Sequence, residues 1–317
     1  MKSLKVLLVF ALIISIIGIA LFATAFIISG FSFDKMTGIT TSYNTFSEKD
    51  GVASKLVVSF DTWDVHVKFV ENAEKISVVY PERTAKNGDK LTDVSFAEAD
   101  GTISVIEKNK FNAQLFLWDF TTERVDVTIP KDRAIELFIE TDTADVIFDG
   151  DAALSSLSVE TDTGDINAKK STLKISGPIN LEADTGDISL GKTEATLLAI
   201  ETNSGDVELG ECIFSANADI SVDTGSIDFE GSFVCNSLKL EADTGDIEGK
   251  AAIDANNIEI ETDTGDVELI LTGKRSEYEM LVKTHTGDSN IISQPGSPKS
   301  LSVKTDTGDI QIFFTEE

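Results

Sequence analysis

Ile260-Glu261-Thr262-Asp263-Thr264-Gly265-Asp266-Val267 is an eight-residue stretch whose close copies recur from about residue 137 to the end of the chain. Its glycine marks the centre of each copy, and successive centres are roughly 19 to 22 residues apart. The centres are Ala144, Gly164, Gly186, Gly205, Gly225, Gly245, Gly265, Gly287 and Gly308. A repeat of this length is typical of solenoids, in which each unit buries its apolar face against the next unit.

The residues before each centre alternate between aliphatic and polar. The position five residues before the centre is aliphatic in every copy: Ile139, Val159, Leu181, Ile200, Ile220, Leu240, Ile260, Val282 and Val303. The position seven before is aliphatic almost as regularly, and the residue between them is mixed and mostly polar. This period of two predicts a strand with one buried face, and a second strand starts two residues after the centre.

The tight turn between the two strands is Asp-Thr-Gly-Asp in most copies. Glycine accepts a positive φ without steric cost, and an aspartate two residues earlier can accept hydrogen bonds from the turn backbone. The residue before the centre is Thr in every copy except Ser204, which suits a ladder of stacked hydroxyls. We therefore predict an all-β fold, a single-stranded β-solenoid of about 20-residue coils.

The N-terminus differs from the repeats. Residues 6–28 are apolar apart from Ser15, Gly18 and Thr24, which is long enough to span a bilayer as a transmembrane helix. Lys2 and Lys5 precede this run, so an uncleaved anchor would leave the N-terminus in the cytoplasm and the bulk of the chain outside. The alternative is a signal peptide cleaved near Ala23-Thr24-Ala25.

The chain therefore divides into four predicted parts. Residues 1–30 form the cytoplasmic N-terminus and membrane anchor, 31–50 a polar juxtamembrane spacer, 51–130 an irregular β region with a cap, and 131–317 the regular coils. We expect the strand from Asp309 to Phe314 to end the stack.

Two aromatic features in the irregular part have two readings each. Trp63 occupies the position of the central glycine in a degenerate copy of the repeat. It is either part of a cap over the first coil or a residue that stacks on a ligand. The segment from Phe111 to Phe120 is cap packing or an exposed contact patch.

Composition narrows the possible partners. The chain has 55 acidic and 26 basic residues, a net charge of −29, which disfavours nucleic acid and anionic lipid as ligands. The two cysteines, Cys212 and Cys235, lie on adjacent coils and are either isolated buried thiols or a disulfide.

Acidic side chains form columns beside the turns. Asp occupies the position two before the centre in seven copies of nine and the position one after it in eight of nine. Stacked carboxylates repel, so turn N–H groups, salt or Ca²⁺ must offset the repulsion. The candidate Ca²⁺ ligands are Asp162, Asp165, Asp184, Asp187, Asp243, Asp246, Asp263 and Asp266. Structural capping is the other interpretation, because the turns also contain Asn203, His285 and Ser226.

The outward position four before the centre adds another column. It is acidic at Glu140, Glu160, Glu182, Glu201, Glu241 and Glu261 and basic at Lys283 and Lys304. We interpret this column as a solvated strand face.

The sequence gives little support for catalytic activity. Asp-Thr-Gly also occurs in aspartic proteases, but those need two such loops facing each other across a cleft. The chain has no phosphate-binding loop, zinc-ligand spacing or Ser-His-Asp arrangement, and only two histidines. We predict a protein without catalytic activity and without a required cofactor.

The repeats centred on Thr/Ser-Gly-Asp-Ile/Val, after Val127-Thr128-Ile129-Pro130 and an apolar N-terminus, resemble the bacterial putative-adhesin domains built of β-strand repeats. The resemblance covers about residues 50 to 317, and Trp63, Ala144 and Ser226 depart from the family's usual turn. It implies a membrane-anchored β-solenoid at the cell surface, with no catalytic residues to carry over.

The expected function is surface interaction or adhesion, with an unidentified surface or membrane protein or a wall ligand as the partner. The alternatives are an envelope-sensing accessory that binds a membrane protein, and a cation-binding structural module.

Overall fold

The computed structural model describes residues 15, 18–19, 21–24, 27–28, 38–108, 123–296 and 298–316. Most of the predicted anchor at 6–28 and all of the aromatic segment at 111–120 lie outside these residues. Within them, none of the helical residues belongs to a helix with the length and hydropathy needed to cross a membrane.

The described residues form 27 strands and one short 3-10 helix, Arg275–Glu277. The first ten strands are β1 Thr40–Ser47, β2 Lys55–Phe60, β3 Asp64–Val70, β4 Ser77–Thr84, β5 Val94–Ala99, β6 Thr102–Glu107, β7 Arg124–Pro130, β8 Glu136–Thr143, β9 Val146–Asp149 and β10 Asp151–Leu154. The next nine are β11 Ser156–Thr163, β12 Ile166–Ile175, β13 Pro178–Thr185, β14 Ile188–Ala195, β15 Leu197–Ser204, β16 Val207–Leu209, β17 Cys212–Phe214, β18 Asn217–Thr224 and β19 Ile227–Phe229. The last eight are β20 Phe233–Val234, β21 Ser237–Thr244, β22 Ile247–Asp254, β23 Asn257–Thr264, β24 Val267–Lys274, β25 Tyr278–Thr286, β26 Lys299–Thr307 and β27 Ile310–Glu316.

The chain divides into two compact units. The smaller consists of Met1–Asn44, Pro81–Asp93 and Lys108–Glu123. In its described part, Arg83 pairs with Glu123 at 2.9 Å and Thr84 forms an antiparallel bridge with Lys90.

The larger unit consists of Thr45–Tyr80, Val94–Glu107 and Arg124–Glu317, and it is a stack of coils. Each regular coil places one strand in a sheet we call sheet B and continues after the turn into a second, sheet A. Strands β8, β11, β13, β15, β18, β21 and β23 are successive parallel neighbours in sheet B. Strands β9, β12, β14, β16, β19, β22 and β24 follow one another in sheet A.

The aliphatic columns predicted from the sequence lie in register and face a single core. Val159 pairs with Leu181, and Leu181 with Ile200, and each is at most 3% exposed. Side chains of sheet A, such as Ile166 and Ile188, belong to the same hydrophobic cluster and are 0% exposed. The predicted all-β fold with parallel strands stacked coil upon coil is therefore confirmed for the described repeats.

The order of coils at both ends departs from the order of the sequence. Strand β2 lies between β6 and β8, and β3 lies between β7 and β9, so the first coil of the sequence is placed between the second and the third. Strand β26 lies between β23 and β25, and β27 pairs with β24. Our expectation that the strand from Asp309 to Phe314 ends the stack holds for sheet A, where β27 pairs with β24 and is the last strand among the described residues. It is wrong for sheet B, where the coil beginning at Tyr278 contributes the last strand, β25. Every coil presents the same apolar columns and backbone edges to its neighbours. The connecting segments therefore decide which coil packs against which.

Trp63 belongs to the core of the larger unit. It is 4% exposed, and its ring lies 5.9 Å from that of Phe60. This burial favours packing over ligand stacking. Cys212 and Cys235 are buried free thiols, so the disulfide alternative does not hold.

Candidate functional site at the aspartate corner

The corner between sheets B and A is built by close contact between successive glycines. A β-carbon placed on the corner glycines from Gly164 to Gly308 would lie 1.9 to 2.2 Å from the carbonyl oxygen of the neighbouring centre. Most of these glycines also have φ between 142° and 156°, a region that L-residues rarely adopt. The corner therefore excludes any side chain at the centre for two separate reasons.

Ala144 shows where this requirement ends. Its neighbour on the lower side is the degenerate coil of β2 and β3, where Thr143 N–H donates to Asp61 O at 2.7 Å. Gly164 on the upper side leaves room for the Ala144 carbonyl because it lacks a β-carbon.

The aspartates one residue after the centre connect each coil to the next. Asp187 N–H donates to Asp165 Oδ1 at 2.9 Å, and Asp206 N–H donates to Asp187 Oδ1 at 2.8 Å. The same bond joins Asp266 N–H to Asp246 Oδ1 at 2.8 Å and Asp309 N–H to Asp266 Oδ1 at 2.7 Å. Each carboxylate thus accepts a charge-assisted bond that offsets the repulsion along the column.

The aspartates two residues before the centre have a different environment. Asp162, Asp184, Asp243 and Asp263 are exposed. Asp184 Oδ1 accepts a bond from Asn203 Nδ2 at 3.2 Å, which joins two coils through side chains. The sequence indicated the capping role here, whereas in the described coils the bonds from backbone N–H groups to carboxylates run through the aspartates after the glycine.

The hydroxyls that bond across coils lie three residues before the centre. Thr202 Oγ1 donates to Gly186 O at 3.4 Å, and Thr305 Oγ1 donates to Gly265 O at 3.4 Å. The threonines directly before the centre, such as Thr163 and Thr185, have exposed side chains. They nevertheless stack in register from coil to coil, as the sequence indicated. The buried hydroxyls that bond across coils belong to another column, which also contains Ala183, Val222 and Ala242, and the two-residue period of the strand could have located it.

The corner brings the Ca²⁺ candidates into two exposed columns. In the described part of the chain, no three His, Cys, Asp or Glu side chains form a group that could hold a metal ion. Four of the eight candidates, Asp165, Asp187, Asp246 and Asp266, use one carboxylate oxygen for the bond from the next coil. Calcium binding stays a prediction.

The outer face of sheet B carries the third charged column in register. Glu182 lies between Glu160 and Glu201. Burial, together with Glu160, Glu201 and Asp184, raises the pKa of Glu182. At the other end of the column Lys304 forms an ion pair with Glu261.

The model of the family described as Toastrack DUF4097 matches residues 53–313. No curated protein matches the sequence.

Three solved structures are similar to the chain. A putative adhesin from Bacteroides fragilis is 16% identical, with a TM-score of 0.46, over 86% of this chain and 97% of that one. A putative lipid binding protein from Parabacteroides distasonis is 12% identical, with a TM-score of 0.48, over 85% and 96%. A putative cell adhesion protein from Clostridium sporogenes is 10% identical, with a TM-score of 0.26, over 87% and 100%.

None of these descriptions is that of an enzyme. The family match covers most of the chain and includes every corner glycine, and the resemblance seen in the repeats is thereby confirmed. The chain belongs to the Toastrack DUF4097 family.

Proposed function

We propose that the chain is a membrane-anchored, extracellular β-solenoid that serves surface interaction or adhesion and performs no catalysis. One observation carries the proposal: the outer face of sheet B presents its side chains in straight columns over the whole stack. The column that passes through Ser59 and Glu140 continues rung by rung to Lys304 and Lys283. Regular faces of this kind are the binding surfaces of solenoid proteins.

The charge of the chain limits the ligands that this face can bind. A net charge of −29 keeps the protein soluble and repels nucleic acid and anionic lipid headgroups. A ligand on this face therefore needs cationic or neutral hydrogen-bonding groups. Wall polymers and protein surfaces supply both.

The anchor is a proposal from residues 6–28, which stand outside the family match. Their length suits one crossing, and Lys2 and Lys5 favour a cytoplasmic N-terminus. If this segment were instead a signal peptide, its cleavage would leave a mature chain without the anchor.

Thiol labelling of intact bacteria tests this topology. Cys212 and Cys235 are buried and burial raises the pKa of each to about 12, so neither should react in the folded protein. Asp162→Cys, in an exposed position, should react with a membrane-impermeant maleimide, whereas Ser3→Cys should react only after lysis. If Asp162→Cys also needs lysis, the chain is not extracellular; if the mature mass lacks the first residues, the anchor is cleaved.

A binding screen tests the interaction itself. The full chain in detergent is applied to immobilised wall polymers and surface proteins, beside a charge-matched control protein. Saturable binding that weakens with Glu160→Gln or Glu201→Gln supports surface interaction through sheet B. Recovery of one stoichiometric integral membrane protein instead, with no binding to surface material, would favour a sensing accessory.

Calcium is tested separately. A Ca²⁺ titration of the full chain should raise the melting temperature if the corner aspartates bind the ion, and Asp246→Asn should reduce that rise. An unchanged melting temperature at millimolar Ca²⁺ would reject the site.

A further inference from the structure

The last coils of the chain are stacked in a different order from that of the sequence. We call residues 257–274 the last regular coil, residues 278–294 the cap segment and residues 299–316 the C-terminal coil. The C-terminal coil lies between the other two, since β26 pairs with β23 on one side and with β25 on the other. Among the described strands β25 has no other neighbour in sheet B, so the cap segment is held there by a coil that follows it in the chain.

The cap segment makes on the C-terminal coil the same corner contacts that this coil makes on the last regular coil. A β-carbon on Gly287 would lie 2.1 Å from Gly308 O, and one on Gly308 would lie 2.0 Å from Gly265 O. The aspartates that follow these glycines are bonded from coil to coil in the same way at both levels, at 2.8 and 2.7 Å. The cap segment therefore carries the corner groups that it would need to dock directly on the last regular coil.

The strands of the three coils are equally interchangeable in sheet B. Val282 pairs with Val303, and Val303 pairs with Ile260, so one inward column runs through all of them. Lys304 forms an ion pair with Glu261, and the cap segment also has a lysine at this position. A cap segment placed one rung lower would keep both the apolar contact and the ion pair.

The connection to the cap segment has the length of a single coil. Gly265 and Gly287 are 22 residues apart. Gly164 and Gly186 are separated by the same step, and their coils are direct neighbours. The chain can therefore run from the last regular coil straight into a cap segment that lies on top of it, as it does between regular coils.

The two candidates for that position differ in sheet A. The C-terminal coil pairs with β24 from Val267 to Lys274. The cap segment forms only one bridge in sheet A, between Ser289 and Ile310, and then crosses the end of the core, where Ile291 is 3% exposed. The C-terminal coil thus covers an edge of the last regular coil that the cap segment would leave mostly open, which accounts for the observed order.

The cap segment can nevertheless end sheet A on either coil. The Asn290 side chain accepts a bond from Ile312 N–H at 2.9 Å and donates one to Ile312 O at 3.1 Å. Leu269 pairs with Ile312 in register and would present equivalent backbone groups to Asn290 if the C-terminal coil were absent. The contacts that close the end of the stack are therefore transferable by one rung.

We propose that the cap segment docks first on the last regular coil, and that the C-terminal coil then enters between them and moves the cap segment outward by one rung. The chain is synthesised from its N-terminus, so the cap segment is available before the C-terminal coil. In that interval β23 and the start of β24 would otherwise be open edges, which readily pair with strands of other chains. The cap segment is thus a temporary closure that becomes the permanent end of the stack.

Disulfide formation during refolding tests the order of events. In the folded protein Glu261→Cys and Lys283→Cys would lie two rungs apart, about 10 Å, which is too far for a disulfide. With the cap segment on the last regular coil they would lie one rung apart, about 4.8 Å, and could be joined. The full chain is refolded from urea into detergent, oxidant is added at increasing times, and the disulfides are mapped by mass spectrometry.

The pair Glu261→Cys and Lys283→Cys should be joined at early times and not once the protein has folded. Glu261→Cys with Lys304→Cys should show the opposite course, since these positions are neighbours in the final stack. Glu241→Cys with Lys283→Cys is the control, because it is separated by two rungs even in the early arrangement. Relative to the yield of each pair in urea, the early yield of the first pair should exceed that of the control by about ten-fold or more. Equal relative yields would overturn the proposal.

A variant of the full chain tests the same order at equilibrium. Gly308→Val should keep the C-terminal coil out of the stack, because its β-carbon would meet Gly265 O, whereas the cap segment keeps its own glycine. The first cysteine pair should then form its disulfide in the folded protein, and a further Gly287→Val should abolish it. If Gly308→Val gives no disulfide while the native thiols of Cys212 and Cys235 stay buried and unreactive, the proposal fails and the proposed surface role is unaffected.

Discussion

A β-carbon added to Gly186 would lie 2.0 Å from the carbonyl oxygen of Gly164, which no relaxation of a side chain can relieve. The contact is backbone against backbone and recurs at each corner, so glycine is required by the neighbouring coil as well as by the turn. The carboxylate that follows most of these glycines then receives the next coil's N–H, as at Asp165 and Asp187. These two contacts hold successive coils together at the corner.

Gly186→Ala should therefore destabilise the larger unit strongly, by about 3 kcal/mol or more in urea unfolding, since the coils must separate. Gly51, in the same unit, is the matched control: it also has a positive φ, of 70°, but an added β-carbon would make only an ordinary contact, 3.7 Å from Glu74 O. Gly51→Ala should cost about 1 kcal/mol, the strain of the backbone alone. Equal losses would mean that close stacking is not what the corner glycines provide.

Asp165→Ala should cost about 1 kcal/mol, because the N–H of Asp187 loses its acceptor. Asp162→Ala removes an exposed carboxylate of the other column and should change the stability by less than about 0.5 kcal/mol. Urea midpoints of the two variants measure the difference. A larger loss for Asp162→Ala would instead favour a role for that column, such as ion binding.

At the scale of elements, one buried ion pair joins the end of β1 to the start of the regular coils. The Glu48 side chain is 0% exposed and accepts bonds from Ala53 N–H, Ile76 N–H and two nitrogens of Arg133. Burial alone would raise the pKa of Glu48, but the bonds from Arg133 and the two backbone groups outweigh it and lower the pKa. The charged carboxylate is thus the form that the fold selects.

Arg133→Met should cost about 3 kcal/mol at pH 7, because Glu48 would stay buried without its cation. A lowered pKa stabilises the fold above the ordinary value near 4.5, and this contribution disappears as the pH falls through the lower folded value. The gap between wild type and variant should therefore shrink in acid, as seen in melting curves from pH 7 to pH 3. Arg124→Met, which removes an exposed ion pair to Asp126, is the control and should cost less than about 1 kcal/mol at either pH.

At the scale of the whole molecule, stacking places like charges of successive coils next to one another, although a single strand would carry its one charge without cost. Burial, Glu160, Glu201 and Asp184 raise the pKa of Glu182, so the folded state resists its ionisation. A carboxyl with a raised folded pKa makes the protein less stable as the pH rises from its ordinary value through the raised one. The stacked glutamates of sheet B therefore carry a cost that a cationic partner would relieve.

Glu182→Gln should stabilise the protein at pH 7 by about 0.3 kcal/mol, and the gain should fade at high salt and at low pH. Glu259→Gln, an exposed glutamate beside Lys239, should give no such gain. Thermal melts at two salt concentrations measure both. A gain for Glu182→Gln that does not depend on salt would mean that repulsion is not its cause.

The sequence by itself determined the repeat, the two strands of each coil, the buried aliphatic columns and the glycine corner, because a period of two within a period of about twenty leaves one way to bury the apolar residues. It also led to the family. Only the tertiary structure decided the order of the coils at the ends and the bonds of Asp165 and its equivalents. Each depends on which coil lies above another, and coils that carry identical columns cannot encode that choice locally. For the same reason the basic end of sheet B, with Lys304 beside Glu261, became visible only when the last coil was found inside the stack.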